Sequence, residues 1–109
     1  MNLENTILPL GTICDINNYE KKIMIIGFNV KEEKDSDEVF DYLVCNYPEG
    51  LIDSNHFMFC NKEDIKDILY MGYSNEETLE FQSLIQKLNN NNEEKIEILE
   101  MPKVKSSNI

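Results

Sequence analysis

The residues that could do chemistry in this sequence are its one histidine, His56, and its three cysteines, Cys14, Cys45 and Cys60. A thiol activated by an imidazole can act as a nucleophile, because the thiolate is the reactive form. In one strand, His56 and Cys60 would lie about 13 Å apart, too far for a proton transfer. Cys45 could approach His56 across two strands, but no orienting third residue and no Gly-rich oxyanion loop is evident. We therefore expect no catalytic residue and interpret the cysteines as buried apolar thiols.

The sequence also lacks the usual signs of a metal or nucleotide site. The cysteines have no C-x-x-C spacing, and only one histidine accompanies them. The acidic segment 31–38, KEEKDSDE, lacks the mid-loop glycine and the terminal glutamate of a calcium-binding loop. The glycines are scattered, so no phosphate-binding loop is indicated. We expect no metal, no cofactor and no enzymatic activity.

The charge of the chain favours one class of partner. The formal net charge is −11, and every positive side chain is a lysine. Without guanidinium groups, an acidic protein is a poor ligand for a phosphate backbone or an anionic membrane. A basic or polar protein surface is the better electrostatic match. We therefore expect the partner to be another protein, and we expect no binding to nucleic acid or to a membrane.

The elements that must position these residues are short strands followed by one helix. Apolar and β-branched runs bounded by turn residues predict strands within segments 7–16, 23–28, 39–47, 56–60 and 65–73. The run IMIIGF at 23–28 is apolar throughout, which predicts a central strand buried on both faces. Its Gly27 predicts a bulge or a sharp bend. Connections this short leave no room for crossover helices, so the sheet is expected to be antiparallel.

Turn and capping residues mark the ends of these elements. Pro48 and Gly50 predict a tight turn after the third strand, with the glycine in a left-handed conformation. Asn61 and Asp64 have the spacing of a capped single helical turn. Ser74 and Glu77 have the Ser-x-x-Glu spacing of a capping box, which predicts a helix start at residue 74.

The predicted helix covers residues 74–89 and carries one apolar stripe with the spacing i, i+3, i+4 and i+7, formed by Phe81, Leu84, Ile85 and Leu88. The predicted fold is α+β: a small curved antiparallel β-sheet or SH3-like half-barrel, with one C-terminal helix packed on it. Residues 1–89 are predicted to form a single globular domain, and residues 90–109 a polar, flexible tail.

Aromatic residues are the best candidates for a partner surface. Strand alternation is expected to bury about half of the following side chains and to expose the others: Tyr42, Tyr47, Phe57, Phe59, Tyr70 and Tyr73. Exposed tyrosines beside acidic residues suit a protein–protein surface. We predict that Tyr70 and Tyr73 anchor the partner, while Glu76 and Glu80 form an acidic rim.

Several stretches in one order resemble a known family. They are LPLGTI at 8–13, KKIMIIGF at 21–28, FDYLVCNYPEGL at 40–51, FCNKEDI at 59–65 and GYSNEETLEFQSLI at 72–85. Together they resemble domain of unknown function 4176, small proteins of low-GC Gram-positive bacteria, over roughly residues 7–88. Members of that family are typically encoded beside LXG-type toxins of the type VII secretion system. The resemblance implies a cytoplasmic adaptor or targeting chaperone that binds the export domain of an LXG-type effector, and it brings no catalytic residue.

Two alternatives remain open from the sequence. An immunity protein would bind the C-terminal toxic domain of an effector instead of its export region, and an acidic charge suits that role as well. A small Cys-dependent enzyme would use Cys45 or Cys60 together with His56. The start of the chain, MNLENTILPL, has no basic segment and no long apolar run, so we expect no signal peptide and a cytoplasmic location.

Overall fold

The computed structural model of the protein describes residues 7–33, 35, 37–53 and 55–90. Within them lie the strands β1 (Ile13–Ile16), β2 (Lys22–Val30), β3 (Phe40–Tyr47), β4 (Met58–Cys60) and β5 (Ile65–Tyr70), and the helix α1 (Glu76–Asn90). A single 3₁₀ turn, Lys62–Asp64, connects β4 to β5. The predicted tail lies outside the described residues except for Asn90.

The strands form one antiparallel sheet in the order β4-β3-β2-β1-β5, with β2 in the centre as predicted. The two edge strands, β4 and β5, are consecutive in the chain. In a flat sheet, four strand spacings would separate them by about 19 Å. The connection from Cys60 to Ile65 contains a 3₁₀ turn, which rises only about 2 Å per residue, and cannot span that distance. The sheet therefore curls, and the predicted α+β fold with a curved sheet and a C-terminal helix is confirmed.

The central strand contains the bulge that its glycine predicts. Ile25 pairs with Val44 but Gly27 pairs with the next residue, Leu43, so Ile26 is the extra residue. The bulge shifts the alternation of side chains, and Phe28 joins the face that carries Ile25. Burial on the two faces of β2 differs: Ile23 and Ile25 are fully buried, whereas Met24 and Ile26 are half-buried. The prediction of full burial on both faces was therefore too strong.

The core lies between one face of the sheet and α1. Its buried members come from every strand except β5, from the segment before β1 and from the helix: Ile7, Leu8, Cys14, Ile23, Ile25, Tyr42, Val44, Cys60 and Ile85. In the predicted helical stripe, Ile85 and Leu88 are buried, whereas Phe81 and Leu84 are only half-buried. Ile85 belongs to the core cluster and Phe81 packs against it, whereas Leu88 is buried outside that cluster.

Polar contacts fix both halves of α1. Gln82 Nε2 donates a hydrogen bond to the carbonyl oxygen of Ile7. Near the C-terminal end, Asn29 Nδ2 donates to Asn89 Oδ1 over 3.1 Å. No helix among residues 7–90 that the structure describes is long and apolar enough to cross a membrane.

The helix begins at Glu76, and its cap differs from the predicted one. Asn75 Oδ1 accepts a hydrogen bond from Thr78 N over 3.0 Å, and Thr78 Oγ1 accepts one from Asn75 N over 3.1 Å. This reciprocal pair takes the place of the predicted pair of Ser74 and Glu77, which was wrong by one residue. Asparagine caps a helix as well as serine does, so the sequence contained two overlapping signals of similar strength.

Candidate protein-binding site

The three cysteines are buried free thiols. Burial, with a smaller effect from Asp15, raises the pKa of Cys14 to about 11. Burial, with a smaller effect from Asp64, raises the pKa of Cys60 to about 12, and burial also raises that of Cys45. A nucleophilic cysteine needs a lowered pKa, so these environments oppose formation of the reactive thiolate. All three are buried, as predicted; Cys14 and Cys60 belong to the core cluster, and Cys45 is buried outside it.

The histidine lies in an exposed turn, two residues before β4 begins. His56 Nδ1 is 2.6 Å from Asp53 Oδ1, and this hydrogen bond lowers the pKa of the Asp53 carboxyl. The imidazole thus interacts with a carboxylate, and among the described residues it makes no contact of this kind with Cys45 or Cys60. Across residues 7–90, as far as they are described, no group of three or more His, Cys, Asp or Glu side chains could hold a metal ion.

The segment before β1 forms one wall of the candidate site. Tyr42 Oη accepts a hydrogen bond from Leu8 N over 3.1 Å, inside the core. Burial raises the pKa of Tyr42 to about 12, so its hydroxyl stays protonated at neutral pH. Gly11 N then donates to Ile25 O over 2.9 Å, which holds the segment against the central strand. These contacts place Pro9 and Leu10 beside the bulge of β2.

The loop that follows β5 is fastened to the same segment. Thr12 Oγ1 donates to Pro9 O over 2.7 Å and accepts a hydrogen bond from Gly72 N over 3.0 Å. Gly72 lies so close to Leu10 that a Cβ atom on it would be 2.0 Å from the Leu10 carbonyl oxygen. Only glycine fits there without a shift of the backbone. This junction fixes Tyr73 next to Leu10.

Around this junction, four apolar side chains are open to solvent. Leu10 is 55% exposed, Tyr70 62%, Met71 41% and Tyr73 78%. We refer to these four residues as the apolar corner. Tyr70 and Tyr73 are therefore exposed, as the sequence analysis predicts, and they stand at the edge strand β5 and at the entry to α1. A fixed apolar surface of this kind loses unfavourable hydration when another molecule covers it.

A cleft of about 580 Å³ opens beside the apolar corner, between the bulge of β2 and the first turns of α1. We call it the β2–α1 cleft. Its apolar walls come from three separate parts of the chain: Pro9, Leu10, Ile26, Phe28, Tyr73 and Phe81. The Phe28 and Phe81 rings contact each other, with 5.4 Å between their centroids. The cleft exists because Ile26 is the extra residue of the bulge, which turns the following Phe28 towards α1.

The polar side chains of the cleft are almost all used within the protein. Asn75 and Thr78 cap the helix and bond to each other, and Gln82 donates to the Ile7 carbonyl. Glu77 is the one charged residue among those that line the cleft. The cleft therefore presents an apolar surface with a single carboxylate at its border.

The predicted acidic rim continues from Glu77 along the exposed side of α1. Glu76 and Glu80 are both exposed and are four residues apart, so they are neighbours on the helix surface. Among the described residues, no ion pair involves Glu76, Glu77 or Glu80. Of the four residues predicted from the sequence, Tyr73 lines the cleft, Glu76 and Glu80 flank it, and Tyr70 lies on the adjacent edge strand.

The apolar walls other than Tyr73 could not be recognised from the sequence. Leu10, Ile26 and Phe28 lie in segments that the sequence predicts as strands, and Phe81 lies in the predicted apolar stripe of the helix. The exposed fraction of Leu10 and the direction of Phe28 depend on the bulge and on contacts between distant segments. The one local signal was Gly27, which predicted the bulge but not the space beside it.

Comparison with known proteins places the chain in a family. No curated protein and no solved structure matches it significantly. The sequence model of the family described as Domain of unknown function (DUF4176) matches residues 7–81, from the buried segment before β1 to the second turn of α1. This region contains the strands β1 to β5 and every residue that lines the cleft except Gln82. The chain belongs to the DUF4176 family.

Proposed function

We propose that this protein is a non-catalytic adaptor or targeting chaperone, which binds the export domain of an LXG-type effector in the cytoplasm before type VII secretion. The observation that carries the proposal is the apolar corner next to the acidic start of α1. The link to LXG-type effectors comes from the sequence resemblance described above. The buried thiols with raised pKa values support a role without catalysis.

The surface has the two components that protein recognition uses. Tyrosine supplies a large apolar area with little loss of conformational freedom, and such residues often dominate binding energy. Tyr73 is the most exposed of them, at the border of the cleft. Glu76, Glu77 and Glu80 add negative charge, which accelerates the approach of a basic partner and orients it.

Co-expression with the export domain of the effector encoded next to this gene tests the proposal. We expect the two proteins to elute together in size-exclusion chromatography and to bind in a calorimetric titration. Tyr73→Ala should weaken this complex, whereas Leu51→Ala, which removes another exposed apolar side chain that does not line the cleft, should not. Two proteins that elute separately and give no binding heat would refute the adaptor role.

A second candidate is an immunity protein, and the net charge of −11 is the observation that favours it. Acidic proteins are suitable inhibitors of toxins that bind nucleic acid through a basic surface. In titrations with each half of the effector, an immunity protein would bind the C-terminal toxic domain and would not bind the export domain. The two roles are thus separated by which half of the effector is bound.

A further inference from the structure

We propose that the β2–α1 cleft is the anchor site for a basic amphipathic segment of a partner protein. The segment inserts an apolar side chain between Leu10, Phe28 and Tyr73, and it places a lysine or arginine against Glu77. This inference rests on the proposed function, because it identifies the contact through which an adaptor of this kind would hold its partner.

The shape and the lining of the cleft determine the apolar part of the occupant. Its volume of about 580 Å³ falls within the range of roughly 300–1,000 Å³ that is typical of binding pockets. Phe28 and Phe81 are half-buried against the core, and both also line the cleft. An inserted aliphatic or aromatic side chain would remove the remaining apolar surface of these rings from water. The occupant therefore contributes at least one large apolar side chain.

The hydrogen bonding of the walls argues against a small polar ligand. The Asn75 and Thr78 side chains bond to each other, and Gln82 is bonded to the Ile7 carbonyl. A polar ligand would have to break these contacts to gain its own. Specific sites for small molecules instead present several convergent polar groups. A polypeptide segment with an apolar anchor matches this lining better.

The charge at the border selects a cation. Glu77 lines the cleft, and Glu76 and Glu80 lie on the same end of the helix, where no lysine lines the cleft. Like charges four residues apart on a helix repel each other. A lysine or arginine of the partner would relieve this repulsion and gain a charge-assisted hydrogen bond. The three carboxylates together favour a segment with more than one basic residue.

The walls are also fixed before any partner arrives. The reciprocal cap of Asn75 and Thr78 holds the first turn of α1, and the contact of Thr12 with Gly72 holds the loop that carries Tyr73. A preformed site loses little conformational entropy when it is filled. The cleft can therefore bind a short segment without the rest of the partner, which makes a peptide a suitable probe.

The test uses the full-length protein and a fluorescein-labelled amphipathic peptide of leucine and lysine, with a leucine–glutamate peptide of the same pattern as the control. Fluorescence anisotropy gives the affinity, and amide chemical shifts of the labelled protein locate the site. We expect the lysine peptide alone to bind and to shift the amides of Leu10, Gly27, Phe28 and Glu77.

Paired variants separate the cleft from the general acidity of the protein. Tyr73→Ala should weaken binding of the lysine peptide by about tenfold or more, and Leu51→Ala should leave it unchanged. Glu77→Gln should weaken binding by roughly two- to fivefold and reduce its salt dependence, whereas Glu63→Gln, at another exposed carboxylate on the 3₁₀ turn, should not. Thermal melting of each variant shows whether it is still folded.

Three results would overturn the proposal. The lysine peptide could shift amides outside the cleft. It could also lose as much affinity for the control variants, Leu51→Ala and Glu63→Gln, as for Tyr73→Ala and Glu77→Gln. Alternatively, Ile96→Ser with Ile98→Ser in the full chain could change the cleft amides without peptide, which would show that the C-terminal residues of the chain occupy the cleft. This test needs no effector, so its outcome is independent of the test of the adaptor role. The peptide could fail to bind in the cleft although the export domain binds the protein, and the export domain could fail to bind although the peptide binds in the cleft.

Discussion

Two regions of the molecule, the core and the apolar corner, contain similar side chains but differ in how far these are exposed to water. Between the covered face of the sheet and α1, Tyr42 and Ile85 are completely enclosed. At the apolar corner, Tyr70 and Tyr73 are largely open to water. In the described part of the chain, every buried side-chain nitrogen or oxygen has a hydrogen-bond partner. The core is thus enclosed and its polar atoms are hydrogen-bonded, whereas the corner leaves apolar side chains open to water.

The bulge of β2 and the start of α1 form the boundary between these regions. Phe28 contacts Tyr42 on the core side, with 6.1 Å between the ring centroids, and Phe81 on the cleft side. Removing side chains on the core side should therefore reduce stability. Removing them from the corner should leave stability nearly unchanged and affect binding instead.

The largest effect on stability is expected from Ile85→Ala. This side chain is fully buried between α1 and the sheet, so its truncation should lower the free energy of unfolding by roughly 2–5 kcal/mol. The control is Leu79→Ala on the same helix, where the side chain is 60% exposed and the change should be within about 0.5 kcal/mol. Urea unfolding measures both. Equal losses would mean that the covered and open faces of α1 are not distinct.

Thr12→Val tests the junction between the two regions. The substitution leaves the Gly72 N–H without its acceptor and removes one of the two hydrogen bonds to the Pro9 carbonyl, which keeps the one from Thr12 N. It should destabilise the protein by about 2 kcal/mol. Thr12→Ser keeps the hydroxyl and should retain most of that stability. Thermal melting measures the two variants. If valine were tolerated as well as serine, the hydroxyl would not fasten the loop that carries Tyr73.

Alkaline pH should weaken the core. Above about pH 9, the thiols of the unfolded chain lose their protons, while the pKa values of about 11 for Cys14 and about 12 for Cys60 keep the buried thiols protonated. The native state then binds more protons than the unfolded state, so the free energy of unfolding falls as pH rises. Between about pH 8 and about pH 10 we expect a loss of about 1 kcal/mol or more.

Urea unfolding in the presence of a reductant measures this loss. Replacing Cys14 and Cys60 by valine should flatten the dependence on pH, because the variant has no thiols to titrate at these positions. An equally steep dependence in the variant would assign the effect to other groups with a raised pKa, such as Cys45 or Tyr42.

Asn75→Ala should have a smaller effect, about 1 kcal/mol, through loss of the cap at the entry to α1. Ser74→Ala should change the free energy of unfolding by a few tenths of a kcal/mol at most, roughly the level of an ordinary surface substitution. Chemical unfolding of the two variants distinguishes them. The opposite order would restore the helix start that the Ser-x-x-Glu pattern predicted.

Local features of the fold could be predicted from the sequence because neighbouring residues determine them. The glycine in an apolar run marked the bulge, and Gly50 adopts the left-handed conformation expected of its turn, with φ +75°. Asp64 Oδ2 accepts a hydrogen bond from Asn61 N over 2.9 Å, as the spacing of these residues predicted. The helix cap was misplaced because Ser74 and Asn75 offer equivalent chemistry one residue apart.

Features that depend on distant contacts could not be predicted in the same way. Periodicity identified the apolar stripe of α1, but the rotation of the helix on the sheet decides that Ile85 is enclosed and Leu84 is half-buried. The cleft joins three segments separated by up to about seventy residues, and its shape follows from strand order and from the bulge. The exposure of Tyr73 was predicted, but its place beside Leu10 was not, because the contact of Thr12 with Gly72 creates it.

The most direct test of the central claim is the dissociation rate of the complex between this protein and the export domain of an LXG-type effector, measured for Tyr73→Ala against Leu51→Ala. We predict that Tyr73→Ala dissociates about thirtyfold faster, which corresponds to about 2 kcal/mol, while Leu51→Ala behaves like the natural sequence. Glu76→Lys with Glu80→Lys should mainly slow association, and that effect should fade with added salt. Unchanged dissociation of a folded Tyr73→Ala variant would contradict the assignment of the apolar corner as the binding surface.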